Sequence, residues 1–137
     1  MHRRLFLLPL LLPLLALLAC GGDDSTGPGA SIAGAYSLTT VNGAPLPFVV
    51  QQAGTFKREI TADTYTLAAG GTWTEVRAER TTSNGVVTPS TNADAGTWSR
   101  NGTSITLTSP ANGAVSGTVS GNTLSLSSAG NTMVYTK

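Results

Sequence analysis

Apolar residues are distributed in two different ways along this chain of 137 residues. Residues 5–18 are apolar almost without interruption, whereas apolar and polar positions alternate in short segments beyond residue 31. A bilayer-spanning helix needs about 20 apolar residues, and the first run is shorter and contains two prolines. Basic residues precede this run, and small residues follow it. The pattern predicts a cleaved secretory signal over residues 1–19.

The alternating part has the period of two that is typical of half-buried β-strands. Tyr36 and Leu38 share one face of the first segment, and Leu124 and Leu126 share one face near the end. Glycine-containing turns separate the segments, with Asn101-Gly102 as the clearest hairpin signal. We therefore expect eight antiparallel strands and no helix of useful length. The predicted inward-facing residues are Tyr36, Leu38, Tyr65, Leu67, Trp73, Trp98, Ile105, Leu107, Val115, Val119, Leu124, Leu126, Met133 and Tyr135.

Strands that follow one another through hairpins can close into an up-and-down barrel, which removes exposed sheet edges. A β-sandwich is the alternative, but it needs Greek-key crossings and longer connections than most of those present. The sequence predicts an all-β domain over residues 32–137, a small eight-stranded antiparallel up-and-down barrel. About two large inward side chains per strand favour a filled core with at most a shallow pocket at one mouth.

Three stretches of the domain depart from simple alternation. Residues 41–47 contain Pro45 and Pro47, which exclude a central strand there. Residues 48–55 are predicted to form either a short helical turn or an irregular crossing that plugs one barrel end. Pro89 has no N–H to donate to a ladder, so its stretch is expected to be an edge or an extension beyond the sheet.

The end of the apolar leader carries a sharper signal. Leu17-Leu18-Ala19-Cys20 resembles the lipobox of bacterial lipoproteins, which implies that Cys20 is the lipidated first residue of the mature protein. Cys20 is the single cysteine, so an internal disulfide is excluded. The alternative is an ordinary cleaved signal with an accidental cysteine nearby. Residues 20–31 are rich in turn formers and are predicted to be a flexible tether.

The same resemblance gives an expected location. It implies a lipid-anchored, extracytoplasmic protein of the cell envelope, and Gly21 after the cysteine favours the outer membrane over the inner membrane. Of eight Lys and Arg residues, Arg3 and Arg4 lie in the leader, so the mature chain has a slight excess of acidic groups. No basic footprint for nucleic acid is present. Attachment to the membrane is therefore expected through the lipid on Cys20 rather than through surface charge.

Candidate chemistry is limited by which residue types the mature chain retains. His2 is the only histidine and leaves with the leader, while Cys20 is expected to be blocked. Neither a histidine-based acid or base nor a thiolate nucleophile is then available. Asp63 and Asp94 are placed near predicted strand ends, where such residues serve turns more often than calcium. We predict no catalytic residues, no metal site and no cofactor, and hence a protein that is not an enzyme.

Glu75, Arg77 and Glu79 alternate on the strand face that also carries Trp73. One interpretation places these charges inside the barrel, where they would grip a ligand. The other places them on a strand that twists out past the mouth, solvated on both faces. The second is favoured because buried charges cost several kcal/mol unless they are paired.

Aromatic residues supply the remaining candidates for binding. Trp73 and Trp98 are interpreted as core residues in preference to a stacking platform, because each follows a glycine at a predicted barrel end. The set of weak ligand-binding candidates is Tyr36, Trp73, Arg77, Trp98 and Tyr135.

Gly34-Ala35-Tyr36, Gly71-Thr72-Trp73 and Gly96-Thr97-Trp98 place an aromatic residue two positions after a glycine. Such openings, followed by a hairpin meander, resemble the lipocalin-like barrels of exported bacterial lipoproteins; streptavidin-like barrels are another eight-stranded family. The resemblance implies a non-catalytic binding or envelope-interaction module for a small apolar ligand or an envelope protein. A purely structural envelope lipoprotein with a filled core is the alternative, and an enzyme without His or Cys chemistry comes third.

Overall fold

A computed structural model describes residues 32–137, and its regular elements are β-strands. The predicted leader, Cys20 and the predicted tether lie outside the described residues. Within the described range, no helix is long and apolar enough to cross a membrane. The strands are β1 (Gly34–Val41), β2 (Ala44–Pro45), β3 (Phe48–Ala53), β4 (Phe56–Leu67), β5 (Thr72–Ser83), β6 (Val86–Asn101), β7 (Ser104–Ser109), β8 (Gly113–Ser120), β9 (Thr123–Ser128) and β10 (Asn131–Thr136).

Eight of these strands, β1 and β4 to β10, close into an antiparallel barrel. Strand β1 pairs with β10 on one side and, through residues 34–37, with residues 64–67 of β4 on the other. From β4 to β10, each strand pairs with the next strand of the chain. The predicted eight-stranded up-and-down barrel is confirmed. Because the ladder runs unbroken around the barrel, the alternative β-sandwich is excluded.

Strands β2 and β3 are additions to the barrel. Strand β2 pairs with the end of β1, and β3 pairs with residues 56–60 of β4. The predicted helical turn or irregular crossing at residues 48–55 is therefore wrong, because Phe48–Ala53 is a strand. The physical reason lies in β4, whose first half extends beyond its contact with β1 and offers a free edge. Phe48 and Val50 of β3, and Leu46 just before it, are partly buried against the barrel core.

Strands β4, β5 and β6 are longer than the barrel and continue past one of its ends. Strand β7 pairs only with residues 97–101 of β6, so the earlier part of β6 has one unpaired edge. Pro89 lies in that part, opposite Arg80 of β5. Because no described strand pairs with the other side of β6 there, the missing N–H of proline removes no hydrogen bond to a second strand. The prediction of an edge or extension around Pro89 is confirmed. We call the part formed by β3, residues 56–60, 79–83 and 86–90 the sheet extension.

The sheet extension is held by charges as well as by its ladder. Glu59 accepts hydrogen bonds on Oε2 from Arg80 Nε at 3.0 Å and Nη2 at 2.8 Å, and Lys57 Nζ lies 3.1 Å from Oε1. Glu59 and Arg80 are directly opposed on β4 and β5. Hydrogen bonds from Arg80 and then Lys57 hold the pKa of Glu59 below its usual range. Cross-strand pairing of opposite charges thus fixes the register of the extension.

The predicted inward-facing residues form the core of the barrel. All of them are buried except Val115, which is half-buried and packs against the others. Val41 and Ile60 join the core although they break the period of two. The reason is an irregular register between Leu38 and Thr40 and another between Ile60 and Ala62. A residue inserted into one strand moves the following side chains to the other face.

Candidate functional site

A cavity of about 510 Å³ opens at the barrel end from which the sheet extension projects. Roughly 300–1,000 Å³ is typical of small-molecule sites. The inner wall is apolar and aromatic, and the rim is polar. The wall includes Tyr65, Trp73, Leu107, Val115 and Met133, and the rim includes Glu79, Asn92, Asp94, Ser109 and Asn112.

Arg77 lies at the polar side of this cavity and binds two carboxylates. Its Nε and Nη2 donate to Asp63 Oδ2 at 3.0 and 2.9 Å, and Nη2 is 2.7 Å from Glu75 Oε1. The Tyr135 hydroxyl donates to the same Asp63 oxygen at 2.9 Å. Asp63 is buried, with 1% of its surface exposed. We call Asp63, Glu75, Arg77 and Tyr135, together with Tyr65, the floor cluster.

Strand register explains how the floor cluster is assembled. Asp63 is directly opposite Arg77, and Tyr65 is directly opposite Glu75, on β4 and β5. Positions two apart on a strand point to the same face, so all four side chains face the interior. The Tyr65 ring stands 5.2 Å from the Tyr135 ring, edge to face, and 5.4 Å from the Trp73 ring. The aromatic wall and the charged floor are therefore continuous.

The favoured interpretation, in which the charges of Glu75, Arg77 and Glu79 are solvated, is wrong for Glu75 and Arg77. The side chains of Glu75 and Arg77 are only 13% and 26% exposed. The missing element was Asp63, which was predicted to serve a turn near a strand end. It lies inside β4 instead and supplies the counter-charge that makes burial of Arg77 tolerable. Glu79, farther along β5, is half-buried at the rim.

Burial and charge set the protonation of the floor cluster. Burial raises the pKa of Glu75 to about 7, the charge of Asp63 adds to the rise, and Arg77 opposes it. Burial also raises the pKa of Asp63, against the charge of Arg77 and the hydrogen bond from Tyr135. Asp63 receives three donors on Oδ2, whereas Oδ1 has no partner among the described residues. With its pKa at about 7, Glu75 gains a proton near neutral pH.

We expect this proton to give the protein a pH-dependent stability. The ordinary pKa of a glutamate, 4.5, rises to about 7 for Glu75 on folding. The folded state therefore binds the proton more tightly, and stability present below pH 4.5 declines as the pH rises to 7. Glu75→Gln, which is neutral at every pH, should flatten this decline. Urea unfolding at pH 5, 6, 7 and 8 measures it; equal slopes for both proteins would contradict the assignment.

Asp94 organises the rim of the cavity. It accepts hydrogen bonds from Asn112 Nδ2 and Ser109 Oγ, both at 2.9 Å, and from its neighbour's backbone N–H at 2.8 Å. Ser109 Oγ in turn accepts from the backbone N–H groups of Ala111 and Asn112. The bond from Asn112, then that from Ser109, holds the pKa of Asp94 below its usual range. Asp94 lies inside β6 and not near a strand end as predicted. Its carboxylate nevertheless holds the β7–β8 turn, and it also presents a negative charge to the cavity.

The five predicted binding candidates occupy different places. Trp73 and Arg77 line the cavity, and Tyr135 lies behind it through its bond to Asp63. Tyr36 is buried elsewhere, where its hydroxyl donates to Ile32 O at 2.7 Å and Lys137 Nζ lies 5.2 Å from its ring centroid. Trp98 lies in the core outside the cavity lining, and its indole N–H donates to Ala68 O at 3.0 Å. Two candidates thus line the cavity directly.

Sequence reasoning missed Asp63 and Tyr65 as members of the site. A signal for both was present, since alternation inward from Leu67 places residues 65 and 63 on the same face. Within residues 32–137, no group of three or more His, Cys, Asp or Glu side chains is placed to hold a metal ion. The arrangement can hold a small molecule by apolar contact on one side and by charge and hydrogen bonds on the other.

Comparisons with models of protein families, with curated proteins and with solved structures found no match to this chain.

Proposed function

We propose that this protein is a lipid-anchored, extracytoplasmic, non-catalytic binding protein of the bacterial cell envelope. In this proposal, Cys20 carries the lipid, residues 20–31 form the tether, and the barrel takes a small ligand or contacts an envelope protein. The location depends on the likeness of residues 17–20 to a lipobox. The binding role depends on a separate observation, the cavity of about 510 Å³ at one barrel end.

The shape of the interior favours ligand binding over a purely structural role. At the other end of the barrel the space is occupied by Tyr36, Trp98 and Leu124, which are almost completely buried. A purely structural barrel would be expected to fill the opposite end with side chains as well, whereas that end is open. An aromatic wall that ends in a charged floor is more suited to an amphipathic ligand than to a fully apolar one. Its apolar part would lie against Trp73 and Met133, and its polar part near Arg77.

Native mass spectrometry of the protein extracted from membranes tests both halves of the proposal. We expect the mass of a chain that begins at Cys20 and carries acyl groups, together with a second species that contains a co-purified small molecule. An unmodified cysteine would overturn the anchored location. The ligand-free mass in every preparation would support the rival structural role.

The two tryptophans provide a matched pair of variants for the same experiment. Trp73→Phe changes the cavity wall and removes the indole donor to Thr97 O, 2.9 Å away, whereas Trp98→Phe removes only the donor to Ala68 O. Loss of one such bond costs about 1–3 kcal/mol when the acceptor remains buried. Both variants should therefore be less stable, but only Trp73→Phe should reduce ligand occupancy. Equal occupancy in the two variants would place the ligand outside this cavity.

A further inference from the structure

The charges around the cavity are unbalanced. Its lining includes three carboxylate side chains, Glu75, Glu79 and Asp94, and one cation, Arg77. Arg77 is already bound to Asp63 behind the lining and to Glu75 beside it. Its positive charge is thus offset within the floor cluster. A ligand that enters this space meets a net negative field whose strength is increased by the apolar wall.

One buried acceptor of the floor cluster has no hydrogen-bond donor among residues 32–137. Asp63 Oδ1 is buried and has no donor within the described residues. The donors that do reach Asp63, from Arg77 and Tyr135, converge on its other oxygen. A buried acceptor without a partner costs free energy. Asp63 lies behind the lining, so a ligand in the cavity acts on it through charge, and a cation there stabilises the cluster whereas an anion destabilises it.

We infer that the cavity selects a small organic cation, an amine with an apolar body, over neutral and anionic molecules of the same shape. This inference rests on the proposed function and names its ligand class. An ammonium group brings three donors and no acceptor, which matches the carboxylates of Glu75 and Asp94. The ring faces of Trp73 and Tyr65 attract cations as well. The apolar body of the amine would pack against Val115 and Met133.

An anion is the competing ligand, because arginine often binds carboxylates and phosphates. Here, however, the guanidinium lies 2.7 Å from Glu75 and 2.9 Å from Asp63. An anion would have to displace Glu75 from Arg77 and would then face Glu79 and Asp94. The geometry therefore favours the cation.

Glu75 adds a pH dependence to this selectivity. The charged and titratable groups around it are Asp63 and Tyr65 from β4, Arg77 and Glu79 from β5, Asp94 from β6 and Tyr135 from β10. Burial raises the pKa of Glu75 itself to about 7. A cation binds its ionised form better, so affinity for an amine should rise as the pH increases from 6 to 8.

Three probes that share one ring separate the alternatives: benzylamine, benzyl alcohol and benzoate. Isothermal titration calorimetry with the lipidated protein in nonionic detergent, corrected with protein-free detergent, gives their affinities. We expect benzylamine to bind about tenfold more tightly than the other two at pH 8, a ratio that corresponds to about 1.4 kcal/mol. The ratio should shrink at pH 6, where benzylamine is still a cation.

Glu75→Gln and Glu59→Gln are matched variants that remove one carboxylate each, inside and outside the cavity. Glu75→Gln should lower the preference for benzylamine at pH 8 to the level of the unaltered protein at pH 6 and abolish its pH dependence, and Glu59→Gln should retain both. Equal binding of the three probes, or tightest binding of benzoate, would overturn the cation selectivity and leave the binding role standing. Failure of all three to bind at millimolar concentration would overturn both.

Discussion

Arg77→Met is expected to lower the free energy of unfolding by about 3–5 kcal/mol at pH 8, the typical cost of breaking a buried ion pair. Methionine retains most of the length and apolar stem of arginine but removes its charge. Asp63, with 1% of its surface exposed, would then keep only the hydrogen bond from Tyr135. Urea unfolding followed by far-ultraviolet circular dichroism measures the loss.

Arg58→Met is the control for this variant. Arg58 lies on β4, the neighbour of the strand that carries Arg77, and its side chain is exposed. Exposed substitutions usually change stability by less than about 0.5 kcal/mol. A second check comes from pH. Without Arg77, Asp63 takes a proton on acidification, so the deficit of Arg77→Met should be smaller at pH 5 than at pH 8. A deficit no larger than that of Arg58→Met would show that Asp63 does not depend on its partner.

The double variant Asp63→Leu with Arg77→Met isolates the unpaired charge as the cause. Replacement of a buried ion pair by apolar residues of similar size is often neutral or stabilising. We therefore expect the double variant to recover most of the stability that Arg77→Met loses.

The barrel was predictable because its determinants are local. Alternation such as that of Leu124 and Leu126 gives the inward face of a strand, and glycine-containing turns such as Asn101-Gly102 give the hairpins. Closure follows, since a meander of this length exposes two edges unless its first and last strands pair. The β1–β10 ladder is that pairing.

The candidate site was less predictable because it depends on contacts between strands. Glu75 and Arg77 were correctly placed on one face with Trp73. Their burial, however, could be predicted only if a buried residue of opposite charge to Arg77 was known. Asp63 provides it from β4, and the exact register that brings residues 63 and 77 together passes through an irregularity between Ile60 and Ala62. No feature of one strand alone specifies that register.

The strand at Phe48–Ala53 escaped prediction for a related reason. Its partner is the half of β4 that extends beyond β1, and nothing within residues 48–55 shows that this edge of β4 is free to pair. Pro45 and Pro47 beside it argued against a strand, and they do limit β2 to two residues. Tertiary pairing outweighed the local signal for a turn or crossing.

Gly117→Ala is expected to destabilise the barrel by at least the 1–3 kcal/mol or so that is typical of overpacking. A Cβ atom at Gly117 would lie 1.9 Å from Ser125 O and 3.0 Å from the Cα of Leu126, both backbone atoms of β9. Backbone atoms in a paired ladder cannot rotate away as a side chain can, so the strands must separate. A Cβ atom at Gly96 of β6 would likewise lie 1.9 Å from a backbone atom, Thr108 O of β7. Gly96→Ala should therefore destabilise the barrel in the same way.

Gly70→Ala separates this steric effect from the general effect of replacing glycine. A Cβ atom at Gly70 would meet nothing within 4 Å, and the residue does not adopt a positive φ. Alanine there reduces the conformational freedom of the unfolded chain, which stabilises proteins by about 0.4–1 kcal/mol at permissive sites. Urea midpoints should therefore fall for Gly117→Ala and Gly96→Ala and hold or rise for Gly70→Ala. Equal midpoints for all three variants would mean that the close approach of these strands is not needed for closure, and that the barrel tolerates a wider spacing at both glycines.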